Sequence, residues 1–191
     1  VEHLDEDWRH GVTSANGQWV SDSSGYLRPQ TGSDAWTQEA AANGGVGGQH
    51  LLDAGLTRPP AHVARALRLD AGASAVHRRR LITLNGRPVE LADSWYPPEI
   101  AANTQLAEPR KIKGGAVTLL TELGYRIASV AEDVESRLAE PAEAELLELG
   151  DREPVLVLTR IACTADGTPI EASVMVTPGS ERRLRYEMKV D

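Results

Sequence analysis

The chain has 191 residues, 41% of them hydrophobic and 25% charged, which suits one domain with a substantial core and is short for two. Its formal net charge of −8 argues against a dedicated nucleic-acid binder, whose affinity rests largely on phosphate neutralisation. No apolar run nears the ~18 residues of a membrane span, the start Val1–Trp8 is too acidic for a secretory signal, and Cys163 is alone, so a cytoplasmic protein with no membrane contact, metal or other cofactor is expected.

In chain order, residues 1–47 read as an irregular lead-in, rich in Gly, Ser, Asn and Asp, with Trp8, Trp19 and Trp36 scattered through it. One short helix fits around Asp34 to Ala42, with Asp34 as its N-cap, and Gly44-Gly45-Val46-Gly47-Gly48 reads as a hinge. A winged helix-turn-helix needs several helices and a wing, which this stretch cannot supply, so no direct DNA binding is expected. Regular patterning runs through 48–191. Pro59-Pro60 opens a helix with Val63, Ala66 and Leu67 on one face. Val76–Leu84 and Pro88–Tyr96 form a hairpin around Asn85-Gly86-Arg87. Gly114-Gly115 precedes a helix closed by Gly124, and Tyr125 to about Leu138 is extended. Pro141 then opens a helix to Leu149, Val155–Thr164 and Pro169–Val176 flank an Asp166-Gly167 turn, and Arg182–Val190 reads as a last strand.

The second half repeats the first. With Pro88 laid on Pro169, Asn85 meets Asp166, Gly86 meets Gly167, Glu90 meets Glu171, Arg79 meets Arg160 and Val76 meets Val157. Two similar helix-plus-hairpin units imply an α+β domain, an antiparallel sheet with helices packed on one face. The basic clusters Arg78-Arg79-Arg80 and Arg182-Arg183 fall within strand-like runs and read as solvated strand edges rather than DNA contacts.

The order of several short motifs resembles the UTRA domain, the effector-binding half of HutC-like regulators of the GntR family. These are Pro59 to Leu67, Val76 to Leu81, Gly86-Arg87-Pro88-Val89-Glu90, Asp93-Ser94-Trp95-Tyr96-Pro97, Glu122 to Tyr125, Pro154 to Arg160, Asp166 to Ser173 and Leu184-Arg185-Tyr186. The flavour is that of the actinobacterial branch. The resemblance implies the fold of chorismate lyase, a small-molecule effector, and homodimers, with pairing to a full-length regulator open to a stand-alone chain. It also implies ligand residues. Arg80 keeps the first arginine of the family's sugar-phosphate set and Glu171 its late glutamate. The second arginine falls on Ile82, the first glutamate on Ala92, the helix-start serine and tyrosine near Gly115 and Val117, and the late tyrosine on Thr177. Phosphate binding wants several converging donors, so an effector less polar than a sugar phosphate, apolar or singly anionic, is expected.

The candidate ligand-binding residues are therefore Arg80, Glu171, Arg160, Tyr96, Trp95, Ser173, Gly115 and Thr177. For Arg80, Arg160, Glu90 and Glu171 the competing reading is a cross-strand ion pair with only an architectural role. Trp95 and Tyr96 point to opposite faces, so one of them at most lines a pocket. Two other functions stay open. An enzyme of the chorismate-lyase fold would use Glu171 as general acid or base, although the five histidines show no catalytic or metal spacing. An interaction module would have its pocket closed by side chains.

Overall fold

Asn85 and Gly86 both adopt positive φ (51° and 82°), the conformation that lets a two-residue turn match the twist of its strands. They join β3 (Ala75–Leu84) to β4 (Arg87–Tyr96). The same design recurs in β6 (Pro154–Cys163) and β7 (Pro169–Pro178). The computed structural model describes residues 19–21, 23–30 and 33–186. Two further strands, β2 (Gly47–Thr57) and β5 (Ser129–Leu138), complete one antiparallel six-stranded sheet in the order β2-β3-β4-β7-β6-β5. Read from its centre outward, each half holds β4 or β7, then β3 or β6, then an edge strand. The duplicated unit is thus edge strand, helix and hairpin, one strand longer than the sequence suggests. Its helices are α2 (Ala61–Ala66) and α5 (Pro141–Leu146).

The structural register of the repeat differs from the sequence register on one strand. Ile82 faces Glu90 and Thr83 faces Pro88, while Ala162 faces Glu171 and Cys163 faces Pro169. Glu90 and Glu171 are therefore equivalent, as are Arg80 and Arg160. Residues 84–87 bridge the first hairpin and residues 164–168 the second, one more, so Arg79 matches Arg160 in sequence but not in space. Arg79 instead faces the other side of the sheet, near Asp93.

The helices divide between the two faces rather than sharing one. Val63 and Leu67 of the α2 segment pack on Ala75, Trp95 and Ala172, and Leu147 beside α5 packs on Leu91, Val155 and Val176. On the opposite face lie α1 (Ala35–Ala42), α3 (Pro98–Ala101) and α4 (Ala116–Glu122). The interior strands bury consecutive residues, such as Ala75-Val76 and Trp95-Tyr96, so both faces need a cover.

Two expectations about the lead-in change. Gly47 and Gly48 are no hinge but the start of β2, and a Cβ at Gly48 would meet Thr83 Oγ1 at 2.5 Å. Gly48 allows close approach to β3 and Gly47 to Ala40 and Trp36, and their lack of side chains hid the strand from hydropathy patterning. Trp36 of α1 is buried, with Nε1 donating to the Thr83 carbonyl at 2.9 Å, so the described part of the lead-in packs into the same core. Farther out, β1 (Trp19–Ser21) pairs in parallel with β8 (Arg182–Leu184). The last strand is short, and the expected continuation from residue 187 lies outside the described residues, as does the lead-in before residue 19.

Candidate functional site

Alternation along the central strands sends Arg78, Arg80 and Ile82 of β3, Tyr96 of β4, Arg160 of β6, and Glu171, Ser173 and Thr177 of β7 to one face. That face is the floor of a cavity of about 190 Å3. Its cover is the 3-10 helix Ser23–Leu27, the following loop, the start of α1, and the segment from Lys111 to Val117, which includes Gly115. The volume falls below the ~300–1,000 Å3 of sites for drug-sized ligands, so the occupant it suits is compact.

Seven of the eight sequence candidates, Arg80, Arg160, Tyr96, Glu171, Ser173, Gly115 and Thr177, meet at this cavity. Trp95 does not. It lies on the opposite face in the α2 core, stacked on His77 with ring centroids 4.0 Å apart, because adjacent strand residues point opposite ways. The basic triplet is no solvated edge either. Arg78 is 4% exposed on an interior strand, and its guanidinium donates to the carbonyls of Gln105, Leu106, Glu108 and Arg110.

A polarised hydrogen-bond relay crosses the floor. Arg80 Nη2 donates to Ser94 Oγ at 3.0 Å, the Ser94 and Ser173 hydroxyls are 3.0 Å apart, and Ser173 Oγ donates to Glu171 Oε1 at 2.6 Å. Since Ser173 gives its proton to Glu171, Ser94 must donate to Ser173, and the chain runs one way from Arg80 to Glu171. Above it, the Tyr96 hydroxyl and Arg80 Nε are buried with no hydrogen-bond partner in good geometry among the described residues, Ser94 being the phenol's polar neighbour. Burial, and next the Glu171 carboxylate, hold the Tyr96 phenol well above its ordinary pKa, so it stays a donor.

Sequence reasoning missed the groups that tie the cover down. Arg182 of β8 pairs with Glu90 of β4, and its guanidinium carbon sits 5.8 Å from the Trp36 ring centroid. Gln30 N donates to Thr118 Oγ1 at 3.0 Å, and Ser23 Oγ donates to Glu132 Oε2 at 3.1 Å. Asp34 is the cap expected from the sequence and accepts from Thr37 N at 3.0 Å. It also accepts from Gln49 Nε2 of β2 at 3.1 Å and pairs with Lys111 at 3.2 Å.

Burial alone would raise the Asp34 carboxyl, but the Thr37 hydrogen bonds and Lys111 outweigh it and hold it below the ordinary value of 3.8. A depressed folded pKa contributes stability that is full above the unfolded value and lost as pH falls through the folded one. The cover should therefore loosen in acid, below about pH 4. The Trp36 indole N–H resonance is expected to move there in the wild type and stay put in Asp34→Asn. An unchanged acid response in the variant would place its cause elsewhere.

The family model for the UTRA domain matches residues 42–183. The chain belongs to this family. It is 34% identical over 133 residues to an uncharacterized HTH-type transcriptional regulator of Streptomyces coelicolor, covering 68% of this chain and 49% of that one. It is 32% identical over 118 residues to a second HTH-type transcriptional regulator, from Mycobacterium tuberculosis, covering 59% of this chain and 41% of that one. The UTRA chain thus spans about half the length of the curated relatives it matches or less. Among solved structures, PhnF from Mycobacterium smegmatis superposes with a TM-score of 0.75 at 20% identity, over 90% of this chain and 72% of that one. The effector domain of PhnF gives 0.71 at 22% identity, over 85% of this chain and 99% of that one. The C-terminal domain of the histidine utilization repressor from Pseudomonas syringae gives 0.61 at 21%, over 75% of this chain and 99% of that one. At these identities the structures establish a shared fold, the α+β chorismate-lyase-like fold expected from the sequence.

Proposed function

We propose that this UTRA chain is the small-molecule-sensing part of a GntR-type transcription regulator, and that the effector binds in the cavity between the sheet and its N-terminal cover. The observation that carries the reading is a pair of buried donors, the Tyr96 hydroxyl and Arg80 Nε, on the lining of one cavity and without a hydrogen-bond partner among the described residues. Buried polar atoms are almost always satisfied, and exceptions in a cavity mark a place for a ligand. Arg80, Glu171, Arg160, Tyr96, Ser173, Thr177 and Gly115 form the binding surface. Ile82, Leu158 and Met175 add apolar lining, which supports an effector less polar than a sugar phosphate. A signal follows from position, because effector under the cover bears on Trp36 and Arg182 and hence on the β1–β8 pair. Homodimers transmit it, and light scattering should give twice the chain mass. The catalytic reading of Glu171 lacks comparable support, since the matched relatives are transcriptional regulators.

The test is native mass spectrometry after incubation with a bacterial metabolite extract. A small molecule retained unchanged is expected, and Arg80→Met should weaken its retention by about ten- to a hundredfold, the worth of a charge-assisted pair. A molecule released with altered mass, or retention indifferent to Arg80, defeats the reading.

A further inference from the structure

The two halves of the sheet carry the same charges but do not compensate them equally. Arg80 and Arg160 are equivalent, and so are Glu90 and Glu171. Arg160 meets Glu132 of the edge strand β5, with Nε 2.5 Å from Oε1. The equivalent neighbour of Arg80, on the edge strand β2, is Leu51, which offers no charge. Glu90 is paired by Arg182, whereas Glu171 is in no ion pair with any described residue and is held only by the Ser173 hydroxyl. Each type of charge is therefore neutralised in one copy of the repeat and left open in the other. Both open charges line the same cavity.

Arg80 and Glu171 are half-buried, and a charge withdrawn from water without a partner is costly. The three-bond relay through Ser94 and Ser173 moderates the two charges but neutralises neither, because Arg80 still has its Nε–H free and Glu171 its second oxygen. The Tyr96 hydroxyl adds a second donor on the lining of the same cavity. Arg78, also on this floor, is already occupied by backbone carbonyls and offers little to a ligand.

Resting on the effector-site reading above, we infer that the effector is a compact zwitterion, a carboxylate that also carries a protonated nitrogen. The carboxylate accepts from Arg80 Nε and the Tyr96 hydroxyl. The protonated nitrogen donates to Glu171. Ile82, Leu158 and Met175 meet the hydrocarbon between them. Such a ligand supplies what Glu132 and Arg182 supply to the other copies of Arg80 and Glu171, and it brings no net charge into the cavity.

The test needs no knowledge of the whole effector, because its two ends can be offered separately. Acetate and methylammonium are titrated singly and together into the full chain, with the Arg80 Nε–H and Glu171 carboxylate resonances followed by NMR. Acetate is expected to move the first, methylammonium the second, and saturation with one should leave the other bound. Arg80→Met should weaken acetate about tenfold, equal to ~1.4 kcal/mol, with methylammonium little changed. Glu171→Gln should do the reverse, and Tyr96→Phe should weaken acetate alone. Either ion missing from its residue, or the two excluding each other, overturns the zwitterion. The wild-type titration decides this even if a variant fails to fold. The sensing proposal rests separately on metabolite retention and would survive that result.

Discussion

Replacing Arg78 by methionine is expected to destabilise the protein by about 3–5 kcal/mol, the range for stripping a buried, multiply bonded charged donor from its acceptors. The guanidinium holds the carbonyls of Leu106 and Glu108 at 2.8 Å and that of Arg110 at 2.7 Å. Those residues lie in the crossover between β4 and α4, a stretch with few backbone partners of its own, and Leu106 is fully buried. Methionine fills much of the same volume but donates nothing, so the cost is that of the orphaned carbonyls rather than a cavity. Lysine at this position should recover only part of the loss. One ammonium is a point charge and cannot span acceptors that the planar fork reaches together. Urea unfolding measures the effect. A shift within about 1 kcal/mol would mean that water replaces the side chain at little cost. The functional consequence runs through the wall that follows, because Lys111 to Val117 closes one side of the cavity.

Much of this architecture is written in short-range pattern. The Asn85-Gly86 turn, the strand-length runs of β3, β4, β6 and β7 with their side chains alternating in direction, and the Pro-initiated helices are local features. They give the duplicated hairpins directly. The same alternation brings Glu171, Ser173 and Thr177 to one face and separates Tyr96 from Trp95, although it cannot say which of the two faces holds the cavity. What stays hidden is non-local. β2 carries Gly47, Gly48 and Gly55 where a strand would ordinarily show branched side chains; close approach to Ala40 and Trp36 explains the first, close approach to Thr83 the second, and a φ of 155° marks the third. The one-residue difference between the two hairpin turns shifts the true partner of Arg160 from Arg79 to Arg80, and no pairing by sequence register alone recovers it. Arg182 lies 92 positions from Glu90, in a run whose pattern shows a strand but no partner for its charge. Its burial depends on α1 and β4 arriving from elsewhere in the chain. The polar network that fixes the cover, Asp34 with Gln49 and Lys111 included, is likewise assembled from segments with no shared pattern.

Arg182 sits where that network is most concentrated, and Arg182→Met should cost about 3–5 kcal/mol because it leaves Glu90 buried without its cation. The side chains of both partners are close to nine-tenths buried, at 11% and 12% exposed. Burial works against the charged guanidinium, but Glu90, with Tyr26 and Glu39 close by, outweighs it, and the group is held above its ordinary pKa. Loss of the cation over the Trp36 ring adds a further ~1 kcal/mol. The double variant Arg182→Met with Glu90→Gln separates the causes. Neutralising both partners should restore most of the loss if the unpaired carboxylate is responsible, and little of it if Arg182 acts through packing on Trp36. Hydrogen exchange supplies the structural readout. The amides of β1 and β8 pair only with each other in their sheet, so they should exchange faster in the single variant, while β3 and β4 stay protected. Equal loosening of the central sheet would show that Arg182 stabilises the whole fold. Confinement to β1 and β8 would make the Arg182–Glu90 pair the joint between the cavity floor and the strand that leads upstream.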